Sequence, residues 1–180
     1  MLPLRPPETK AAAPLSASAD GTAVWGYASL WGIPDRGGDI VERGAFAASL
    51  RRLRERGEGV RMLWQHDPAQ PIGLWDEVEE DATGLRVKGR LLPEIARARE
   101  AMALVAARAL DGLSIGYRTL RAARDDGGRR RLREVELWEV SLVTFPMLPG
   151  ARLAAKSAEA ALLGDLSAHC AALRARLRRA

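Results

Sequence analysis

Two long strand-forming stretches with a tight-turn signal between them constrain the fold of this chain more than any other feature. GLSIGYRTLRAAR (112–124) and RRRLREVELWEVSLVTF (129–145) are rich in β-branched and large apolar residues, and DDGG (125–128) separates them. Asp and Gly accept the backbone angles that tight turns require, so this pattern is typical of a β-hairpin. We therefore predict two long strands that pair antiparallel.

Four further segments have strand character and lie earlier in the chain. They are 22–31, 60–66, 72–81 and 84–92, and the last two are joined by a turn around residues 81–84. In VRMLWQH (60–66), period-two alternation places His66 at the end of an otherwise apolar face. The prolines that follow, Pro68 and Pro71, are expected to break this run.

Two segments have helical spacing. AFAASLRRLRER (45–56) is amphipathic and stops at Gly57, while PEIARAREAMALVAARAL (93–110) begins with proline, is rich in alanine and has Gly112 just beyond its end. No repeat of 20 to 50 residues is present, which excludes solenoids. About six strands and two helices predict an α+β domain, most plausibly a small closed or nearly closed, mainly antiparallel β-barrel flanked by helices.

Charge and composition divide the chain of 180 residues into three parts. Residues 1–20 are rich in Pro and Ala and are expected to form a flexible leader. The folded domain is expected over 21–153, with Pro146 and Pro149-Gly150 marking its end. Residues 154–180 are rich in Ala and Arg and are expected to form a helical tail. Most of the net charge of +5 belongs to residues 151–180, which contain six basic and two acidic residues.

The small number of cysteines and histidines limits the chemistry of the chain. With a single cysteine, Cys170, no intrachain disulfide and no zinc site built on paired thiolates can form, and the only histidines are His66 and His169. We therefore predict no metal and no cofactor. Since neither a membrane span nor a compact signal-peptide core is recognisable, we expect a cytoplasm-like compartment and no membrane partner.

Three residues in separate segments could together carry nucleophilic catalysis. A serine hydroxyl needs a base to take its proton, and the base needs an acid that fixes its tautomer. Ser114 in DGLSIGY shares a strand face with Gly112 and Gly116, whose lack of side chains would let a substrate backbone approach. His66 is the only histidine of the folded region, and Glu139 is an acid on an apolar strand face, in phase with residues such as 135 and 137.

Each of these residues also has an ordinary structural interpretation. The hydroxyl of Ser114 could satisfy a local backbone group, with the glycines marking a bulge. His66 could be a satisfied histidine at a strand end, and Glu139 could lie on a solvated face. Asp67 is an alternative orienting acid, and Ser141 is an alternative nucleophile that lacks flanking glycines.

The motifs, taken in order, resemble the HK97-type prohead serine proteases of tailed phages. The resemblance covers residues 24–153 and rests on GYASLWGIPDRGGDIVERGAF, WQHD with PIG, GL with VKGRL, LSIGY and LWEVSLVTFPMLPGA. It implies a fold similar to the herpesvirus assembly proteases, with His66 as catalytic histidine and Ser114 as catalytic serine. The acidic third member is placed at Glu139.

The resemblance also implies a function, a substrate and a place of action. The chain is expected to be a serine endopeptidase that cleaves the scaffolding region of the major capsid protein, and also itself, inside the assembling prohead in the bacterial cytoplasm. Self-association is expected, because related assembly proteases gain activity when they associate. The tail, 154–180, would then be a targeting element or a propeptide, in a phage, a prophage or a gene transfer agent.

Two other classes of function remain open at this point. The first is a non-catalytic assembly or scaffolding factor that binds capsid protein. The second is binding of nucleic acid through the basic tail and the arginines at 129–131, which would weaken steeply with salt. The near-neutral charge of residues 1–150, with 22 bases against 21 acids, makes nucleic acid at most a weak partner.

Overall fold

The structure, a computed structural model, describes residues 21–154. The expected leader at 1–20 and the tail beyond Ala154 lie outside the described residues. Within this range the chain forms seven strands and two helices. They are β1 (Ala23–Leu30), β2 (Ile40–Val41), α1 (Ala47–Glu55), β3 (Arg61–Trp64), β4 (Asp67–Glu80), β5 (Gly84–Leu91), α2 (Ala96–Ala106), β6 (Gly112–Arg124) and β7 (Arg130–Val143).

The seven strands form one curled sheet with the order β1-β5-β4-β3-β7-β2. Strand β6 pairs with β7 along nearly the whole length of both strands, so β2 and β3 share the opposite edge of β7. All pairs are antiparallel except those of β7 with β2 and β3. The α+β class and the mainly antiparallel curled sheet with flanking helices agree with the prediction, and the β6–β7 hairpin lies where the DDGG signal placed it.

The last described residues, 151–154, join the two outer strands of the sheet, and we call them the closing segment. On one side Ala154 N donates a hydrogen bond to Trp25 O in β1, at 2.9 Å. On the other side Leu113 N in β6 donates to Ala151 O, also at 2.9 Å. The chain after Pro149-Gly150 therefore does not leave the fold but links β1 to β6.

The apolar core is enclosed by the curled sheet and covered by the two helices. Helix α1 contributes Leu50 and follows the fully buried Phe46. Helix α2 contributes Ala98 and Ala101, both with no exposed surface, and such small side chains let a helix backbone approach a sheet closely. No helix in residues 21–154 is both long and apolar enough to cross a membrane.

Two element boundaries differ from the sequence-based expectation. Helix α2 begins at Ala96, since Pro93 belongs to a turn in which Ile95 N donates to Leu92 O. Strand β4 already begins at Asp67 and runs through both prolines. Irregular register between β3 and β4 accommodates Pro71, because a residue without an N–H can sit at a bulge.

Candidate active site

An extra residue in β7 decides on which face of the sheet Glu139 lies. In the β6–β7 ladder Gly116 pairs with Glu139 and Tyr117 pairs with Leu137, which leaves Trp138 without a partner. The side chain of Trp138 is exposed. This is a β-bulge, a feature that re-aims the side chains that follow it.

The bulge moves Glu139 out of phase with the core residues that precede it. Leu137 belongs to the apolar core before the bulge, whereas Val140 and Leu142 belong to it afterwards. Glu139 and Ser141 therefore lie on the other face, opposite the core. The expectation that Glu139 shares a face with Leu137 is wrong, because strict alternation ignores the bulge at 138.

His66 lies in a tight turn rather than on a strand. Trp64 pairs with Asp67, so only Gln65 and His66 connect β3 to β4. Both have positive φ, 51° and 63°, as a two-residue turn of type I′ requires. The prediction that His66 ends a strand face is therefore wrong, because β3 ends at Trp64 and the imidazole projects from the turn.

Hydrogen bonds to β7 and to the residue that follows it hold this turn in place. Gln65 N donates to Leu142 O at 3.0 Å. The Gln65 side chain donates to Thr144 Oγ1 at 2.8 Å and accepts from Thr144 N at 3.2 Å. These bonds stabilise a backbone conformation that side-chain-bearing residues adopt only at a cost.

The His66 ring forms a short hydrogen bond with the Glu139 carboxylate. His66 Nδ1 and Glu139 Oε1 are 2.5 Å apart. The Glu139 side chain is 10% exposed and the His66 side chain 42% exposed, so the imidazole can be reached from solvent while the acid is covered. The bond with Glu139 raises the pKa of His66 above its ordinary value, against the opposing effect of partial burial.

The second oxygen of the same carboxylate is bonded to Ser141. Ser141 Oγ donates to Glu139 Oε2 at 2.6 Å, and it accepts a hydrogen bond from His66 N at 3.2 Å. Ser141 has no exposed surface. Both carboxylate oxygens of Glu139 are thus engaged, which is the condition for keeping a charged acid in a buried position.

Ser114 stands opposite Ser141 in the β6–β7 ladder, on the same face as His66's partner Glu139. Ser114 is 5% exposed, and its hydroxyl makes no hydrogen bond within residues 21–154. Every fully buried side-chain oxygen or nitrogen in this range has a hydrogen-bond partner, so the Ser114 oxygen is not one of them. Its Oγ therefore reaches the surface. A hydroxyl that is reachable and not engaged is available for reaction.

The glycines on either side of Ser114 lie directly against β7. A Cβ at Gly116 would overlap Glu139 Oε1, and a Cβ at Gly112 would overlap Val143 O. Both glycines therefore make room for parts of β7. Gly116 in particular provides the space in which the Glu139 side chain reaches towards His66.

A pocket of about 150 Å³ lies next to Ser114, between β1, β6 and the loop that follows β1. Its rim carries Ile33 and Met147, both about half exposed. Two acids line it: Asp39 is paired with Arg130 and accepts a hydrogen bond from Tyr117, and Asp35 Oδ1 accepts hydrogen bonds from the backbone N–H groups of residues 37 and 39. The pocket therefore offers a mainly apolar surface beside the serine.

Of the five candidate residues, the structure joins three by hydrogen bonds and leaves two, Ser114 and Asp67, outside this group. His66, Glu139 and Ser141 are joined by hydrogen bonds, whereas none joins Ser114 to His66 among the described residues. Asp67, the alternative acid, instead accepts bonds from Ala69 N and Gln70. Gln65 was missed as a supporting residue, and its position beside His66 in WQHD was the only signal in the sequence.

No metal-binding arrangement is found in the part of the chain that the structure describes. Within residues 21–154, no group of three or more His, Cys, Asp or Glu side chains is placed to hold an ion.

Comparison with known proteins assigns the chain to a family. The sequence pattern of the caudovirus prohead serine proteases matches residues 9–163. The chain belongs to this family. It is also 34% identical to the prohead protease of Enterobacteria phage HK97 over 136 residues, and this match covers 72% of the present chain. The match covers 58% of the HK97 protein, so the chain spans less than two thirds of the length of this relative.

One solved structure supports the fold of this member of the prohead protease family. The capsid assembly protease of bacteriophage T4 superimposes with a TM-score of 0.56 at 12% identity, over 69% of this chain and 82% of the T4 chain. The KSHV protease, solved with a hexapeptide phosphonate inhibitor, is a looser neighbour, with a TM-score of 0.45 at 14% identity over 73% and 63% of the two chains. The likeness to the T4 protease supports the curled-sheet fold.

Proposed function

We propose that this chain is a serine endopeptidase in which Ser114 is the nucleophile, His66 the general base and Glu139 the orienting acid. The observation that carries the proposal is the 2.5 Å hydrogen bond between His66 Nδ1 and Glu139 Oε1, on the face of the sheet where Ser114 also lies. Membership of the prohead serine protease family supports the same reaction class.

The orientation of the imidazole suits a base that acts on a serine. Because Nδ1 faces the Glu139 carboxylate, the proton of the neutral ring is held there and the lone pair of Nε2 is free to accept another. The carboxylate also stabilises the imidazolium that forms when Ser114 loses its proton. Catalytic hydrogen bonds are often long before substrate binds, so the missing bond between Ser114 and His66 is compatible with this role.

The reaction then proceeds in two halves. Ser114 Oγ forms a bond to the scissile carbonyl carbon while its proton passes to His66 Nε2, and the C–N bond breaks as His66 gives that proton to the leaving amine. A water molecule next attacks the acyl-enzyme ester, again through His66. The ester C–O bond breaks, the carboxylic acid is released and Ser114 regains its proton.

The proposed substrate is the scaffolding region of the major capsid protein, together with the protease chain itself, within the assembling prohead in the host cytoplasm. The names of the relatives support this proposal, since one is a prohead protease and another is a capsid assembly protease. Self-association of the enzyme belongs to the same proposal. Nucleic acid is at most a weak partner.

The test is intact-mass analysis of the capsid protein encoded beside this gene, after co-expression with the protease. We expect truncated capsid protein with wild type and full-length capsid protein with Ser114→Ala or His66→Ala. Thr119→Ala is the matched control, because it removes a hydroxyl from the same strand away from His66, and it should leave processing intact. Full-length capsid protein in every case, with assembled heads present, would instead indicate a non-catalytic assembly factor.

A second measurement needs no natural substrate. A fluorophosphonate probe forms a bond between its phosphorus and the oxygen of an activated serine, with loss of fluoride. We expect one adduct on wild type, located at Ser114 by peptide mapping, and none on Ser114→Ala. An adduct that persists in Ser114→Ala would overturn the assignment of the nucleophile.

A further inference from the structure

The second serine of the site, Ser141, is unsuited to be a nucleophile. It has no exposed surface, so a substrate carbonyl cannot reach it. Its oxygen is also fully engaged, since it donates to Glu139 Oε2 and accepts from His66 N. A hydroxyl carries one proton, and only the carboxylate can accept it, because the other partner is itself a donor. The direction of both hydrogen bonds is therefore fixed.

The bonds of Ser141 connect two parts of the site that are far apart in sequence. One bond ends on the side chain of the acid in β7, and the other ends on the backbone of the turn between β3 and β4. One hydroxyl thus sets both the rotation of the Glu139 carboxylate and the position of the residue that carries the imidazole.

We propose that Ser141 is a positioning residue that holds Glu139 and His66 in the geometry needed for catalysis. The catalytic part of this inference rests on the proposed function, whereas the geometric part does not. By fixing Oε2, Ser141 directs Oε1 towards His66 Nδ1. By accepting from His66 N, it supports a backbone conformation with φ at 63°.

Removing the hydroxyl should release the acid from the base. Glu139 Oε2 would then be a buried carboxylate oxygen without a donor, and such a group rotates to find another partner. That rotation weakens the bond to His66. No other acid among the described residues compensates, because the neighbouring Asp67 is bonded to Ala69 N and Gln70 rather than to the ring.

The experiment compares Ser141→Ala with Ser49→Ala. Ser49 is a matched control because it too is buried, at 2% exposed, and accepts a hydrogen bond from the backbone of β7, Leu137 N at 2.9 Å, without touching the His66–Glu139 pair. Two quantities are measured for each variant of the full chain. One is the pKa of His66 from an NMR titration, assigned with His66→Gln, and the other is the rate of labelling by a fluorophosphonate.

We expect Ser141→Ala to lower the pKa of His66 towards 6.5 and to slow labelling about tenfold or more. Ser49→Ala should change neither quantity, although both variants should unfold more readily. Ser141→Cys, which keeps a weak donor of similar size, should give intermediate values and serves if the alanine variant does not fold.

Two outcomes would overturn the inference. One is an unchanged pKa and labelling rate in folded Ser141→Ala or Ser141→Cys. The other is an equal loss in Ser49→Ala, which would show that any buried serine of this region has the same structural effect. The two measurements also separate this inference from the proposed function. Labelling that persists in Ser114→Ala would disprove the nucleophile. The effect of Ser141 on the pKa of His66, which the titration measures, would stand unchanged.

Discussion

Gly116 and Glu139 face each other across the β6–β7 ladder, and the carboxylate of Glu139 occupies the space that a side chain at position 116 would need. The pair explains how a long acidic side chain can cross from one strand towards a base in a neighbouring turn. Gly116, although it has no side chain, is therefore essential to the geometry of the site.

A methyl group at position 116 should therefore disable the enzyme. Gly116→Ala is expected to displace the Glu139 carboxylate, to slow fluorophosphonate labelling at least tenfold and to lower the free energy of unfolding by about 1–3 kcal/mol, as overpacking does. Gly59→Ala is the control, because nothing lies within 4 Å of a Cβ there. Equal labelling rates in the two variants would show that the carboxylate needs no such space.

The pH dependence of activity should report the bond between His66 and Glu139. A general base must be unprotonated, so labelling of Ser114 is expected to increase with pH through the pKa of His66, which the bond raises above 6.5. Glu139→Gln should move this limb to lower pH and reduce the plateau. Glu136→Gln removes another acid of β7, one paired with Arg118, and should leave the limb in place.

The free energy of unfolding should also depend on pH through the bond between His66 and Glu139. Because the pKa of His66 is higher in the folded chain than in the unfolded chain, the protonated ring stabilises the fold. This contribution is fully present below the unfolded pKa of about 6.5 and is lost as the pH rises through the folded pKa. Denaturant unfolding at several pH values should show it in wild type but not in His66→Gln.

The indole of Trp138 should contribute little to the site. Trp138→Ala is expected to label within twofold of wild type and to change the free energy of unfolding by less than about 1 kcal/mol, since the side chain is half exposed. Deleting the residue would make the pairs Tyr117–Leu137 and Gly116–Glu139 consecutive, so regular alternation would keep Glu139 on the face opposite Leu137. We therefore expect the deletion variant to be labelled as well; loss of labelling would show that the site needs the local twist that a bulge adds.

Much of the fold follows from local signals in the sequence. The β6–β7 hairpin could be predicted because Asp125, Gly127 and Gly128 are typical turn residues between two strand-forming stretches. In the structure β6 begins at Gly112, as expected. The two-residue strand β2 could not, because Ile40 and Val41 stand beside a glycine-rich loop and acquire strand geometry only by pairing with β7.

The residues of the site were recognisable, but their geometry was not. Nothing in the sequence marks Trp138 as an unpaired residue, since the register of a ladder depends on which partner positions pack best. The turn at His66 was hidden for a related reason. Gln-His is not a typical sequence for a type I′ turn, and hydrogen bonds with Thr144 and Ser141, some 75 residues away, stabilise it.

The closing segment sets a limit on how far this chain can be trimmed from its C-terminal side. Residues 151–154 link β1 to β6, and Leu113 N, next to Ser114, bonds to Ala151 O. A cut beyond Ala154 would leave these bonds intact, whereas a cut before residue 151 would remove them and free the start of the strand that carries Ser114. If the protease processes itself at this end, a cut at one boundary would yield a mature enzyme and a cut a few residues earlier would inactivate it.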